Sequence, residues 1–158
     1  MQKGMVLIVD DEEQVRSVLM EYLVSLGYGV ETAESGEDAL KKFIPGHHEC
    51  VVSDLFMPTV GGLELLKLLR KRDPKLLFLM ITGYPSIESA VEAMKEGAYD
   101  YLTKPFKIDD IKIKLERAYQ RRNLENSLKK VNGIMWGLIF SIPVWLILGI
   151  ILGFVWKM

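Results

Sequence analysis

Between Met5 and Lys104, short apolar runs alternate with longer stretches in which apolar residues recur at helical spacing. The runs predict β-strands over Met5 to Val9, Val30 to Ala33, Cys50 to Ser53, Leu76 to Ile81 and Tyr99 to Leu102. Several are continuous rather than alternating, as expected of strands covered by helices on both faces. The stretches between them predict helices over Glu12 to Leu26, Glu37 to Phe43, Leu63 to Arg70 and Ile87 to Glu96, with Val15, Val18, Leu19, Tyr22 and Leu23 as the apolar stripe of the first. Strand and helix in strict alternation imply an α/β fold with a doubly wound parallel sheet.

Local signals agree. Gly27 and Gly97 follow the first and fourth helices, where a residue with positive φ closes the last turn. Ser35 and Ser86 precede the second and fourth as N-caps, and the acids just after them suit the positive end of a helix dipole. The sequence contains no internal repeat and no low-complexity tract.

Composition changes the picture at one place. Lys and Arg total 20 against 21 Asp and Glu, so net charge gives no argument for nucleic acid. Cys50, the single cysteine, sits in an apolar run and is expected in the core. The apolar run Met5 to Val9 is too short for a secretory signal and is followed at once by acids. From Val131 to Trp156, however, there is no charged residue at all, whereas the preceding part carries nearly every charge in the chain.

In an open parallel sheet the working crevice lies outside the carboxyl ends of the strands. There the sequence places Asp10 and Asp11 after strand one, Asp54 after strand three, Thr82 after strand four and Lys104 after strand five. Carboxylates gathered in one place repel, and a divalent cation with one lysine would hold them ionised. Mg²⁺ suits hard oxygen ligands, with Asp11 and Asp54 as direct ligands and Asp10 direct or through water. A carboxylate beside that cation can attack phosphorus, while Lys104 and the Thr82 hydroxyl meet the moving phosphoryl oxygens.

This ordered set resembles the response-regulator receiver family. The matching motifs are Asp10-Asp11, Asp54 with Met57-Pro58 and Gly62, Thr82-Gly83, and Lys104-Pro105; the stretch from Met80 to Phe106 is similar to receivers of enhancer-binding transcription activators. The resemblance covers roughly residues 4 to 120. It implies a flavodoxin-like sheet of order 2-1-3-4-5 and phosphotransfer from a sensor histidine kinase to Asp54. It also implies the Phe56 main-chain carbonyl as a further metal ligand and a cis peptide before Pro105. Such a domain is not a metabolic enzyme: it promotes only its own phosphotransfer and autodephosphorylation. Gly61, where the motif often has a polar residue, is a loop variation.

Tyr101 matches the rotating aromatic of the family and would form a switch pair with Thr82, acting on the face made by helix four, strand five and helix five. Phe56 and Tyr84, each two residues beyond a site residue, would screen an acyl phosphate from water and lengthen its life. His47 and His48 are expected at the surface, in a polar loop.

Residues 108–130 read as one long charged helix, with Ile111, Leu115 and Ala118 facing the domain and Leu124, Leu128 and Val131 continuing an apolar seam. The segment 133–156 then reads as a transmembrane helix. At about 1.5 Å per residue, the separation of Trp136 and Trp156 spans the ~30 Å of a hydrocarbon core. Arg121, Arg122, Lys129 and Lys130 precede it and only Lys157 follows, which places the receiver in the cytoplasm. Pro143 would bend the span. Small residues at Gly133, Gly137 and Ser141, and at Gly149 and Gly153, would allow a homodimer.

The expected organisation is a receiver domain over 1–120, a helical connector over 121–132 and a tail anchor over 133–156, single-pass in the bacterial inner membrane. Its partners would be a sensor kinase and a downstream protein, with no direct nucleic acid binding and no output domain. Two further readings are a phosphorelay intermediate and a structural membrane adaptor that docks a partner through the receiver fold.

Overall fold

The computed structural model describes residues 3–107 and 109–120, and the chain divides into two compact units, Met1–Leu115 and Glu116–Met158. Strands and helices alternate: β1 (Met5–Val9), α1 (Glu13–Ser25), β2 (Gly29–Ala33), α2 (Gly36–Lys42), β3 (His48–Asp54), α3 (Gly62–Arg72), β4 (Leu77–Thr82), α4 (Ile87–Lys95) and β5 (Asp100–Thr103). A fifth helix, α5, occupies residues 109–120. The five strands form one parallel sheet in the order β2-β1-β3-β4-β5. This is the flavodoxin-like arrangement, whose order reverses between β1 and β3 and opens a crevice there.

Alternation along the strands divides the core between the two faces of the sheet. Leu7, Val9, Val51, Phe78 and Met80 cluster with Ala39 of α2 and Phe43 just after it, with Leu65, Leu66 and Leu69 of α3, and with Ala93 of α4. The intervening residues Val6, Ile8, Cys50, Val52, Leu79 and Ile81 are equally buried, as are Leu19 and Leu23 of α1. Ile111, Leu115 and Ala118 of α5 are fully buried. Cys50 forms no disulfide. Val18, placed by spacing on the buried stripe of α1, is instead 52% exposed.

The caps follow the sequence signals. The Ser35 hydroxyl accepts the Asp38 amide at 3.1 Å, and the Ser86 hydroxyl accepts the Ser89 amide at 3.0 Å. Gly27 and Gly97 adopt φ of 89° and 94° after α1 and α4, conformations that a side chain would strain.

His48 departs from expectation: it lies in β3, not in a loop, and is fully buried, whereas His47 is exposed. The cause is a slip in register between β1 and β3, with Met5 opposite His48 and Val6 opposite Cys50. The extra residue starts the strand earlier and turns the ring inward. There the Ile44 amide donates to Nδ1 at 3.0 Å, Phe43 stacks on the ring at 5.7 Å, and Nε2 lies 2.9 Å from a Glu31 carboxylate oxygen. Because Nδ1 accepts, Nε2 carries the proton and donates to Glu31.

Among the described residues, no helix is long and apolar enough to cross a membrane. The connector 121–132 and the span 133–156 read from the sequence lie outside the described residues.

Candidate functional site

Four strand ends meet at the carboxyl edge of the sheet. Asp10 follows β1, Asp54 is the last residue of β3, Thr82 the last of β4, and Lys104 follows β5. Pairing aligns them: Val9 lies opposite Ser53, Asp54 opposite Ile81, and Thr82 opposite Thr103. Two main-chain bonds carry the alignment past the strand ends, Leu55 N–H to Ile81 O at 2.8 Å and Lys104 N–H to Thr82 O at 2.7 Å. The Lys104–Pro105 peptide bond is cis.

Lys104 is the hub of the site. Its ammonium donates to Asp54 Oδ2 at 2.7 Å, to Asp10 Oδ2 at 2.9 Å and to Glu12 Oε1 at 3.2 Å. Asp10, Asp54 and Thr82 are buried, so these charges sit in a poorly solvated place. Burial pulls the Lys104 ammonium toward neutrality, but its hydrogen bonds to Asp54 and Asp10, with their charges, outweigh that and raise its pKa. Asp10 responds the other way. Burial raises its pKa, and the bonds from Lys104 and from the Glu12 amide, the latter at 2.9 Å, offset only part of the cost.

The loop after β3 shapes the acceptor. The Phe56 amide donates to Asp54 Oδ1 at 3.2 Å, fixing one carboxylate oxygen while Lys104 holds the other. A Cβ on Gly62 would stand 2.2 Å from the Asp54 carbonyl oxygen, so only glycine lets α3 begin this close to the strand. Thr82 Oγ1 accepts the Tyr84 amide at 3.1 Å. The rings of Phe56 and Tyr84 meet edge to face at 6.2 Å, and both are exposed. Tyr101 is half-buried, and its hydroxyl lies 2.9 Å from that of Ser89.

Among the described residues, the acids that share a cluster are Asp10, Glu12 and Asp54, with one ligand oxygen from each within 4.8 Å of the others. The donor set is all carboxylate oxygen, the hard-ligand chemistry that suits Mg²⁺. Asp11 is exposed and outside this cluster, although its neighbours on both sides belong to it. The sequence reading therefore missed Glu12. It also missed Arg16, whose guanidinium donates to the Asp10 carbonyl at 2.6 Å, and Ser89. Glu12 could have been found from its place two residues past Asp10, whereas the other two are fixed only by the fold.

A doubly wound α/β domain with acids, a threonine and a lysine at its switch point defines a phosphotransfer signalling class. Residues 6–116 match the model of the response regulator receiver domain, and the chain belongs to this family. It is 36% identical over 146 residues to the DNA-binding transcriptional regulator NtrC of Salmonella typhimurium, covering 90% of this chain and 31% of that protein. With the regulatory protein AtoC of Escherichia coli it shares 32% identity over 141 residues, 86% of this chain and 31% of the relative. The chain thus spans about a third of the length of these curated relatives. Among solved structures, a receiver domain from Clostridium thermocellum superposes with a TM-score of 0.72 at 30% identity, covering 77% of this chain and 98% of its own. The response regulator TrrA of Thermotoga maritima, in complex with Mg²⁺-BeF, gives 0.66 at 36% identity over 73% of this chain and 98% of its own.

Proposed function

We propose that this protein is a membrane-anchored response regulator that accepts a phosphoryl group from a sensor histidine kinase on Asp54 and signals by phosphorylation-dependent contact with another protein. One observation carries the reading: the Lys104 ammonium is held jointly by Asp54 and Asp10, so the acceptor and its countercharge share one buried rim. An Asp54 carboxylate oxygen forms the new bond to phosphorus as the bond to the donor histidine nitrogen breaks, and the departing imidazole keeps the electron pair and takes a proton from solvent. The Phe56 amide steadies the carboxylate for attack. Lys104, already desolvated, moves its hydrogen bonds onto the phosphoryl oxygens with little reorganisation. The Thr82 hydroxyl gives up the Tyr84 amide to bond one of those oxygens, and Tyr101 follows it inward as the switch. Asp10, Asp11 and Asp54, with the Phe56 carbonyl, would hold the magnesium ion, which offsets negative charge on the phosphoryl group. Glu12 is placed to adjust that shell.

The anchor rests on the sequence of 133–156, uncharged throughout and carrying tryptophan near both ends. Homodimerisation through its small residues is part of the same reading.

The test is incubation of the full chain in vesicles with Mg²⁺ and acetyl phosphate, wild type beside Asp54→Asn, followed by intact mass and by flotation. Wild type is expected to gain one phosphoryl group and to float with lipid. Asp54→Asn is expected to float without gaining it. A folded wild type that gains no phosphate at Asp54 would overturn the acceptor role, and one that stays out of the lipid fraction would overturn the anchor.

A further inference from the structure

The first unit is electrically polar along its strands. Every helix returns antiparallel to the sheet, so the first turns of the helices share the edge that holds Asp10 and Asp54, and their last turns share the opposite edge. The first turns carry Glu13, Glu37 with Asp38, Glu64 and Glu88. At the opposite edge the last turns carry Lys41, Lys71, Arg72 and Lys95, with Lys75 just beyond α3, and all five are exposed. Four acids also stand at this edge, the exposed Glu96 and the half-buried Glu49, Asp73 and Asp100; Asp100 is paired with Lys114, which leaves three acids against the five exposed cations.

Basic residues at helix ends complement the helix dipole, which accounts for one per helix. It does not account for the run on α3, nor for Ile44, which lies at the same edge in the loop between α2 and β3 and is 56% exposed. Exposed cations around an exposed aliphatic side chain suit the headgroup layer of an anionic bilayer, where the cations meet phosphates and the aliphatic group reaches the acyl boundary. The chain also leaves the first unit at this edge: Lys114 of α5 is ion-paired with Asp100, the first residue of β5.

We infer that the edge of the sheet bearing Lys41, Ile44, Lys71, Arg72, Lys75 and Lys95 rests on an anionic lipid surface, leaving the Asp10–Asp54 rim turned to solvent for a kinase. This rests on the reading of 133–156 as a membrane anchor. Residues 121–132 reach at most about 40 Å even when fully extended, so the anchor keeps the basic edge at high local concentration over lipid.

The experiment places the full chain in neutral phosphatidylcholine vesicles and in vesicles with about 30% phosphatidylglycerol, labels lysines with an acetylating reagent, and reads each site by mass spectrometry beside flotation. In the anionic vesicles, labelling of Lys41, Lys71, Lys75 and Lys95 is expected to slow at least about threefold, while Lys107, beyond β5 on the acidic edge, keeps its rate. About 0.5 M salt is expected to abolish the protection, and in a Lys71→Gln, Lys75→Gln, Lys95→Gln variant Lys41 is expected to label equally in both vesicles. Flotation with both lipids and equal labelling would overturn the docking and leave the anchor standing. Flotation with anionic vesicles alone, lost on removing the three lysines, would support the docking and overturn the anchor. Flotation with neither would overturn both.

Discussion

The hydroxyls of Ser89 and Tyr101 are hydrogen-bonded at 2.9 Å, tying β5 to the first turn of α4. Ser89 is at the same time half of a capping box: its amide donates to the Ser86 hydroxyl at 3.0 Å, and its own hydroxyl accepts the Ser86 amide. The position of the Tyr101 ring and the integrity of the α4 cap are therefore linked through one side chain. Replacing Ser89 by alanine is expected to destabilise the start of α4 by about 1 kcal/mol and to free Tyr101 without slowing phosphorylation at Asp54. Hydrogen exchange at residues 87–91 beside phosphorylation kinetics measures both. Tyr101→Ala is expected to leave phosphorylation intact and weaken partner binding; equal loss of the two would remove the switch role.

Phe56 and Tyr84 each stand two residues beyond a rim residue, Asp54 and Thr82. Their rings meet edge to face at 6.2 Å and stay exposed, so they belong to the surface beside the rim rather than to the core. Replacing either by asparagine is expected to bring water to the acyl phosphate and shorten its half-life by about tenfold, the change that ~1.4 kcal/mol in barrier makes. Loss of the phosphoryl group, followed by intact mass after removal of the phosphodonor, gives the rate. An unchanged lifetime in both variants would leave the two rings without this function.

Gly62 is where packing and chemistry meet. A Cβ there would stand 2.2 Å from the Asp54 carbonyl oxygen and 2.9 Å from the Met80 sulfur, so an added methyl group meets the end of β3 and the core at once. Gly62→Ala is expected to cost about 1–3 kcal/mol and to move the end of β3, so phosphorylation should fall together with stability. Urea denaturation and acetyl phosphate kinetics on the same sample decide this. A variant of wild-type stability and rate would show that the loop absorbs the methyl group.

Most of the fold was legible because its signals are local. Continuous apolar strands, serine caps and positive-φ glycines each mark an element by its own residues, and Met5–Val9 is a strand to both of its expected ends. Asp54, Thr82 and Lys104 were legible because each stands at a strand end, and topology alone brings strand ends together. Val18 was misplaced because helical spacing defines a stripe but not how far the neighbouring sheet extends over it. Ser89 escaped notice because its partner, Tyr101, becomes adjacent only after β5 has joined the sheet, whereas Glu12 was within reach of the sequence through its place two residues past Asp10.

His48 was misread for a related reason: a histidine beside a second histidine and a proline-glycine turn looks like loop, and the register slip that buries it has no sequence signature. Its Nδ1 is the acceptor for the Ile44 amide just past the end of α2. His48→Phe keeps the stacking with Phe43 but leaves that amide without its partner, and is expected to cost about 1–3 kcal/mol. His48→Ala adds a cavity and is expected to cost more. Chemical denaturation ranks the two, and since the site lies at the opposite edge of the sheet from Asp54, phosphorylation of the folded protein is expected to remain at the wild-type rate.

Asp10 trades stability for its place at the rim. Its carboxyl is pushed above the ordinary 3.8 chiefly by burial, so the folded protein binds a proton there more tightly than the unfolded chain does. The sign follows from linkage: the ionised group opposes folding at neutral pH, and the opposition fades as pH falls through the raised folded value and is gone below 3.8. Asp10→Asn keeps an oxygen for the Glu12 amide and removes the buried charge, while Lys104 retains Asp54 and Glu12. The variant is expected to be more stable than wild type by on the order of 1 kcal/mol at pH 7, with the difference shrinking toward pH 4, and to be phosphorylated more slowly because one oxygen ligand for Mg²⁺ is weakened. Thermal denaturation across that pH range tests the first part. A variant less stable than wild type at pH 7 would mean that the Lys104 ion pair, not desolvation, dominates at Asp10.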